Sequence, residues 1–200
     1  MTVTMKWSVI KKKIIYQGFF KLSEIKLQHD LFAGGQSPVL HRELLDRGQA
    51  VAVLPYDPVR DEVVLVEQFR IGAGKDTSGP WLIEIIAGYQ EAGESAEDVV
   101  HREAYEEAGC EVTDLLAMYR YYSSPGGSDE QVQIFLGRTD SAHIKGMHGL
   151  DEEGEDIKVH VISSEQAFDW LDSGRIDSAA PIIAVQWFRL NRDRIRKEWF

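Results

Sequence analysis

The segment from Gly88 to Cys110 constrains this chain more than any other. It reads Gly-(5)-Glu-(7)-Arg-Glu-Ala-x-Glu-Glu-x-Gly-Cys, with Gly88, Glu94, Arg102, Glu103, Ala104, Glu106, Glu107, Gly109 and Cys110 at the defining places. Gly93-Glu94-Ser95 reads as a turn ending on an N-cap, and Asp98 stands where a capping box needs its acidic partner. Gly109 supplies a left-handed stop. The spacing therefore predicts a helix from about Ala96 to Ala108. At 100° per residue, Ala96, Val100, Glu103 and Glu107 share one stripe, apolar in its first turns and acidic in its last.

Such a stripe is costly. Glu103 and Glu107 are i,i+4 neighbours with Glu106 beside them, and like charges at that spacing destabilise a helix by a few tenths of a kcal/mol. The negative end of the helix dipole adds to the penalty, as does partial burial. A divalent cation resolves the conflict, because Mg²⁺ takes oxygen ligands, one or two carboxylates together with water and phosphate oxygens. The bland alternative is a solvated acidic face with Arg102 as a surface ion-pair partner. The full spacing weighs against it: seven fixed letters recur by chance on the order of 10⁻⁹ times per start position.

This spacing resembles the box of the Nudix hydrolases, which cleave nucleoside diphosphates linked to another moiety. The resemblance reaches further along the chain. Pro125, in the run Tyr121 to Glu130, lies 16 positions past Gly109, a spacing similar to that of the bacterial ADP-ribose pyrophosphatases within the family. Leu54 to Asp61, Glu67 to Arg70, His148 to Leu150 and Glu153 to Asp156 are similar as well. Departures are small: Ala104 is the smallest choice for an apolar slot, and Tyr89 stands where an aliphatic residue is common.

The resemblance implies an α+β fold, a mixed β-sheet sandwiched between helices (α/β/α), and a set of roles. Glu103, Glu107 and Glu155 with the carbonyl of Ala87 are implied as metal ligands. Glu106 is a further acidic contributor, Arg102 orients the glutamates, Glu94 supports the loop, and Glu153 is the general base. The implied metal is Mg²⁺, two or three ions per site, with Mn²⁺ as the alternative. The implied reaction is hydrolysis of ADP-ribose to AMP and ribose 5-phosphate. Substrate contacts are implied for Arg70, Phe19, Phe20, Arg42, Glu43, Tyr89, Ser124, Pro125, Gly126 and Glu130. On pattern alone, Phe19 and Phe20 read as core or interface residues and Arg70 as a surface ion pair.

Bulk properties set the outer limits. Two hundred residues with 44% hydrophobic content suit one main domain with a small appendage. A net charge of −11 argues against nucleic acid as a partner. It also means that an anionic substrate needs cations in between. One cysteine, Cys110, fits a reducing cytosol. No apolar run approaches the roughly 20 residues of a membrane span, and no signal peptide is evident.

Residues 1–48 read as a small antiparallel β subdomain, with strands over Ser8–Tyr16, Phe19–Leu27 and Gln36–Leu45. A three-stranded sheet with one apolar face needs a covering surface. In the resembled family this segment is exchanged with a second subunit, which implies a homodimer. Residues 49–200 read as the hydrolase domain. Strands are expected at Ala50–Leu54, Glu62–Phe69, Trp81–Ile86, Leu115–Tyr122, Gln131–Leu136 and Ile157–Ile162. Two closing helices are expected, one from Ser163 to Gly174 with Gln166 in a capping box, the other from Ser178 to Glu198. The roughly 20 residues between Leu136 and Ile157 form a long acidic loop. On composition they are a solvated tip; the resemblance makes them the loop that carries Glu153 and Glu155, with Gly154 giving freedom to close. Two other functions remain open at this point: hydrolysis of another nucleoside diphosphate sugar such as GDP-mannose, and a non-catalytic sensing module on the same fold.

Overall fold

The described residues form eleven strands and three α-helices. The computed structural model describes residues 4–150, 152 and 154–200. The chain divides into two units, one running to Gly48 and taking in Tyr122–Gln131, the other comprising Gln49–Tyr121 and Val132–Phe200.

The first unit is a three-stranded antiparallel sheet of β1 (Trp7–Gln17), β2 (Lys21–His29) and β3 (Leu40–Asp46), in that order. The third strand starts four residues later than the sequence pattern suggests, because Gln36 makes only a bridge to Asp30 and Pro38, which has no N–H to donate, precedes the ladder. The segment 122–131, which the sequence reading places with the hydrolase domain, groups here. Leu45 exchanges backbone hydrogen bonds with Gly127 and Asp129, and the Asp129 carboxylate accepts from the amides of Arg47 and Gly48.

The second unit contains β4 (Gln49–Asp57), β5 (Glu62–Phe69), β6 (Trp81–Glu84), β7 (Ile86–Tyr89), α1 (Ala96–Ala108), β8 (Leu115–Tyr122), β9 (Gln131–Arg138), β10 (Met147–His148), β11 (Ile157–Ser163), α2 (Ser164–Asp172) and α3 (Ala179–Trp199). Its sheet runs β10-β11-β5-β4-β9-β8, with β6 added to β5 and β7 to β4. Most pairs are antiparallel. The β4–β9 pair is parallel: Gln131 donates to Gly48 and Thr139 to Tyr56 at a constant offset along both strands. The expected strand Trp81–Ile86 is two strands, since the chain leaves β5 after Glu84 and pairs with β4 from Ile86 onward.

Alternation sends each strand's side chains to two faces. Ala52, Leu54, Tyr56, Val63 and Leu65 meet Phe168, Ala184, Val185 and Phe188 of α2 and α3. Val51, Val53, Val64 and Val66 meet Val99, Val100, Ala104 and Ala108 of α1. The result is the expected α/β/α sandwich. Ser163 accepts from the Gln166 amide at the start of α2, and Pro181 sits in the first turn of α3, where its missing N–H costs nothing. The long loop is not featureless: a single 3₁₀ turn at Ser141–His143 and the two-residue β10 interrupt it.

Candidate active site

Helix α1 begins and ends where its caps dictate. Ser95 accepts from the Asp98 amide at 3.1 Å while the Asp98 carboxylate accepts from the Ser95 amide, also at 3.1 Å. At the other end Gly109 takes φ 57°, ψ 29°. The apolar stripe draws the helix onto the sheet, and the acidic end of the same stripe is carried inward with it. Glu107 is 2% exposed. Its Oε2 accepts from the Ala87 amide of β7 at 3.1 Å. Burial foremost, then the neighbouring charges of Glu103 and Glu155, push its carboxyl up to about 8, against the pull of the Ala87 N–H and Arg70.

Glu103 lies one turn earlier. A Cβ at residue 88 would overlap the Glu103 carboxyl, so only glycine lets this side chain cross β7. Burial raises the Glu103 pKa, and Arg102 opposes that rise. The Arg102 guanidinium joins the rest. It grips Glu94 by two bonds of 3.0 and 3.2 Å, donates to Glu103 Oε1 at 2.6 Å and to the Tyr89 carbonyl at 3.3 Å, and reaches Glu106 at 3.4 Å. These carboxylates, Glu94 first, hold its pKa well above the ordinary arginine value despite partial burial. Arg70 pairs with Glu84 of β6, Nε to Oε2 at 3.0 Å, and feels the fields of Glu107 and Glu155. Glu155 accepts from the Leu150 amide at 3.2 Å.

Ala87, Glu94, Arg102, Glu103, Glu106 and Glu107 are therefore brought together on one strand, one helix and the loop between them, with Arg70 and Glu155 in electrostatic range. Glu153, the expected base, lies outside the described residues. Among the described residues no three acidic, imidazole or thiol groups already sit in ligand geometry. Each has a local partner: Arg102 for Glu103, Ala87 for Glu107, Leu150 for Glu155. The donor set still fits a hard divalent cation. It is all oxygen, and Glu107 is almost wholly buried with its Oε2 accepting from the Ala87 amide.

Tyr89 ends β7 with its side chain exposed, and the remaining expected substrate residues belong to the first unit. Phe19 is 88% exposed and lies edge-on to Phe20. Phe20 is covered by the Arg47 guanidinium at 4.6 Å. Arg47 in turn pairs with Glu130 at 2.7 Å. Arg42 and Glu43 are exposed on β3. Ser124, Pro125 and Gly126 form a tight turn in which the Ser124 carbonyl accepts from the amides of Gly127 and Ser128. Sequence reasoning missed two residues. Glu84 was detectable, since the β5–β6 register sets it opposite Val66, four residues before Arg70. Arg47, which ties Phe20 to Glu130, joins residues more than 80 positions apart, and no local pattern marks it.

Comparison with known proteins agrees with this geometry. The family model described as NUDIX domain matches residues 46–190. The ADP-ribose pyrophosphatase of Haemophilus influenzae is 48% identical over 194 residues, covering 96% of this chain and 89% of that protein. The ADP-ribose pyrophosphatase of Escherichia coli K12 is 47% identical over 191 residues, with 96% and 91% covered. The GDP-mannose pyrophosphatase of Enterobacter sp. is 31% identical, with 94% and 98% covered. A solved structure described as an ADP compounds hydrolase shares the fold, with a TM-score of 0.72, 18% identity, and 98% of this chain and 100% of that one covered. This chain belongs to the Nudix family, as a metal-dependent hydrolase acting on diphosphate bonds.

Proposed function

We propose that this protein hydrolyses ADP-ribose to AMP and ribose 5-phosphate with Mg²⁺, two or three ions per site, and that Mn²⁺ can substitute. The observation that carries this reading is Glu107: a carboxyl 2% exposed, with its pKa raised to about 8, one turn from a second, half-buried glutamate for which Gly88 makes room. A protein keeps two such groups side by side when a cation offsets them.

Glu103, Glu107, Glu155 and the Ala87 carbonyl would hold the ions. Bound there, the metal offsets diphosphate charge and acidifies a water molecule. Everything else falls to the chain's own groups. Arg102 orients Glu103 and Glu106 through the bonds described above. Arg70 exchanges Glu84 for a substrate phosphate oxygen, and a guanidinium suits that contact by its bidentate geometry. Glu153 takes the proton of the attacking water. Phe19 offers an open ring for adenine. Arg42, Glu43, Phe20, Tyr89, Ser124, Pro125, Gly126 and Glu130 complete the substrate contacts.

The protein acts in the cytoplasm as a homodimer with exchanged N-terminal segments. Support for the dimer comes from β1, which is exposed along its whole length although it carries Trp7, Val9, Ile10, Ile14, Ile15 and Tyr16. Among the described residues no helix is long and apolar enough to cross a membrane. GDP-mannose remains the second reading, supported by the 31% identical relative. The test is direct. Purified protein is incubated with ADP-ribose or GDP-mannose, in Mg²⁺ or EDTA, and AMP and GMP are quantified. Mg²⁺-dependent AMP release is expected to dominate; faster GMP release would overturn the substrate assignment, and no release from either would favour a sensor.

A further inference from the structure

His148 has no role in the chemistry above, yet it sits where the loop bearing Glu155 meets the helix bearing Glu103 and Glu107. Its imidazole lies against the Cα of Gly109. A Cβ added at that glycine would approach the ring Cε1 to 2.8 Å, closer than real contacts allow. The ring Nε2 lies 3.0 Å from the Lys145 carbonyl. The next residue, Gly149, donates its amide to the Glu106 carbonyl at 3.3 Å, taking one of the orphan acceptors in the last turn of α1. Behind the ring, Met147 and His148 pair with Lys158 and Ile157 of β11. Ahead of it the chain closes on itself: the Glu155 amide donates to the Leu150 carbonyl and the Leu150 amide to the Glu155 carboxylate, both at 3.2 Å. Gly149, at φ 101°, lies against Glu155, where a Cβ would meet the Glu155 Cβ at 2.7 Å.

From this geometry we infer that His148 is a positioning residue, an imidazole pin seated on Gly109 that sets where Glu155 stands relative to Glu103 and Glu107. The pin works by shape. A flat ring fills the space above a residue without a side chain, and seven residues later the closed loop delivers a carboxylate. The left-handed stop of α1 thereby has a second use, since a side chain at 109 would strain the backbone and also unseat the ring. The inference rests on the reading of Glu155 as a ligand only for its functional consequence; the seating of the loop is independent of it.

The experiment follows both levels. NMR-detected amide exchange on wild type, His148→Ala and His148→Phe reports the seating. Exchange of the Gly149 amide is expected to quicken in His148→Ala and to stay near wild type in His148→Phe, which keeps a flat ring. Unchanged exchange at Gly149 in His148→Ala overturns the pin. Mn²⁺ titration without substrate, followed by electron paramagnetic resonance, reports the consequence. His148→Ala is expected to weaken the Glu155-dependent ion by about tenfold, as loss of a ligand-orienting partner does. Adding Glu155→Gln to that variant should then cost little more, because the two changes act on one interaction. Fully additive losses overturn the positioning role. If Glu155→Gln alone leaves Mn²⁺ affinity intact while Gly149 exchange answers to His148, the pin stands and the reading of Glu155 as a ligand falls.

Discussion

Glu107 and Asp61 are both sheltered carboxylates in the same unit, and they titrate in opposite directions. Asp61 sits in the β4–β5 turn at φ 60°, and it accepts from Tyr56, Ser164 and Arg192, with Arg196 at 3.4 Å. Burial works to raise its pKa, but the Arg192, Tyr56 and Ser164 bonds outweigh it and hold the carboxyl at about 2. Glu107 has one backbone donor, two like-charged neighbours and a pKa near 8. Shelter alone does not decide the state of a carboxylate. Asp61 has its countercharge built in and serves to hold α3 on the sheet, whereas Glu107 is left short of positive charge at a place a divalent ion fits. A closed network marks structure and an open one marks function.

The contrast can be broken most severely by Glu107→Gln. Turnover should fall at least about 100-fold, as loss of a metal-orienting group does, while the melting temperature in EDTA holds or rises. Wild-type turnover in that variant would end the metal role. Asp61→Asn should do the reverse. Asparagine tolerates the left-handed backbone, so the variant keeps the turn but removes the charge and turns one accepting oxygen into a donor facing other donors. It should lower stability by about 3 kcal/mol, the cost of stranding a sheltered guanidinium. At a permissive temperature its kcat should stay within about twofold of wild type.

A finer test uses pH. The native pKa of Asp61, about 2, lies below the ordinary 3.8, so its stabilisation is complete above pH 3.8 and is lost as pH falls toward 2. The native pKa of Glu107, about 8, lies above the ordinary 4.5. Below pH 4.5 both states are neutral there. As pH rises from 4.5 to 8 the unfolded chain ionises while the folded one keeps its proton, so stability drains away across that window. Melting curves in EDTA should show both arms, the acid one worth on the order of 2 kcal/mol and the Glu107 one on the order of 5 kcal/mol. Glu107→Gln should flatten only the alkaline arm, and Mg²⁺ should flatten it in wild type.

The smallest effects are expected in the first unit. Phe19→Ala should raise KM for ADP-ribose a few-fold with stability unchanged within about 0.5 kcal/mol. Phe20→Ala, which uncovers Arg47, should cost about 1 kcal/mol of stability. An unchanged KM in Phe20→Ala would remove that ring from the substrate contacts.

These pairs also show what was legible without coordinates. The limits of α1 were, because the Ser95–Asp98 box and Gly109 are local devices separated by one helix length. The sandwich was, because strands and helices intermix along the chain and β4 and β5 are near-continuous apolar runs, as strands covered on both faces are. The glutamate cluster was legible from its spacing, but the reason for Gly88 was not: it depends on Glu103 crossing β7, a contact 15 residues away that no local rule encodes. Arg70 was visible as a cation at a strand end, while its partner Glu84 required the hairpin register. The grouping of 122–131 with the N-terminal sheet and the Arg47 link depend on tertiary pairing and leave no periodic trace.

Arg102 carries one more implication. Its guanidinium touches Glu94, Glu103 and Glu106 together, so part of the acidic charge in the box is neutralised from within before any ion arrives. A cation held by Glu103 would therefore have to replace an arginine contact there, while Glu94 gives the guanidinium a separate tether. The helix that presents these carboxylates is complete without an ion, its caps closed at Ser95 and Gly109.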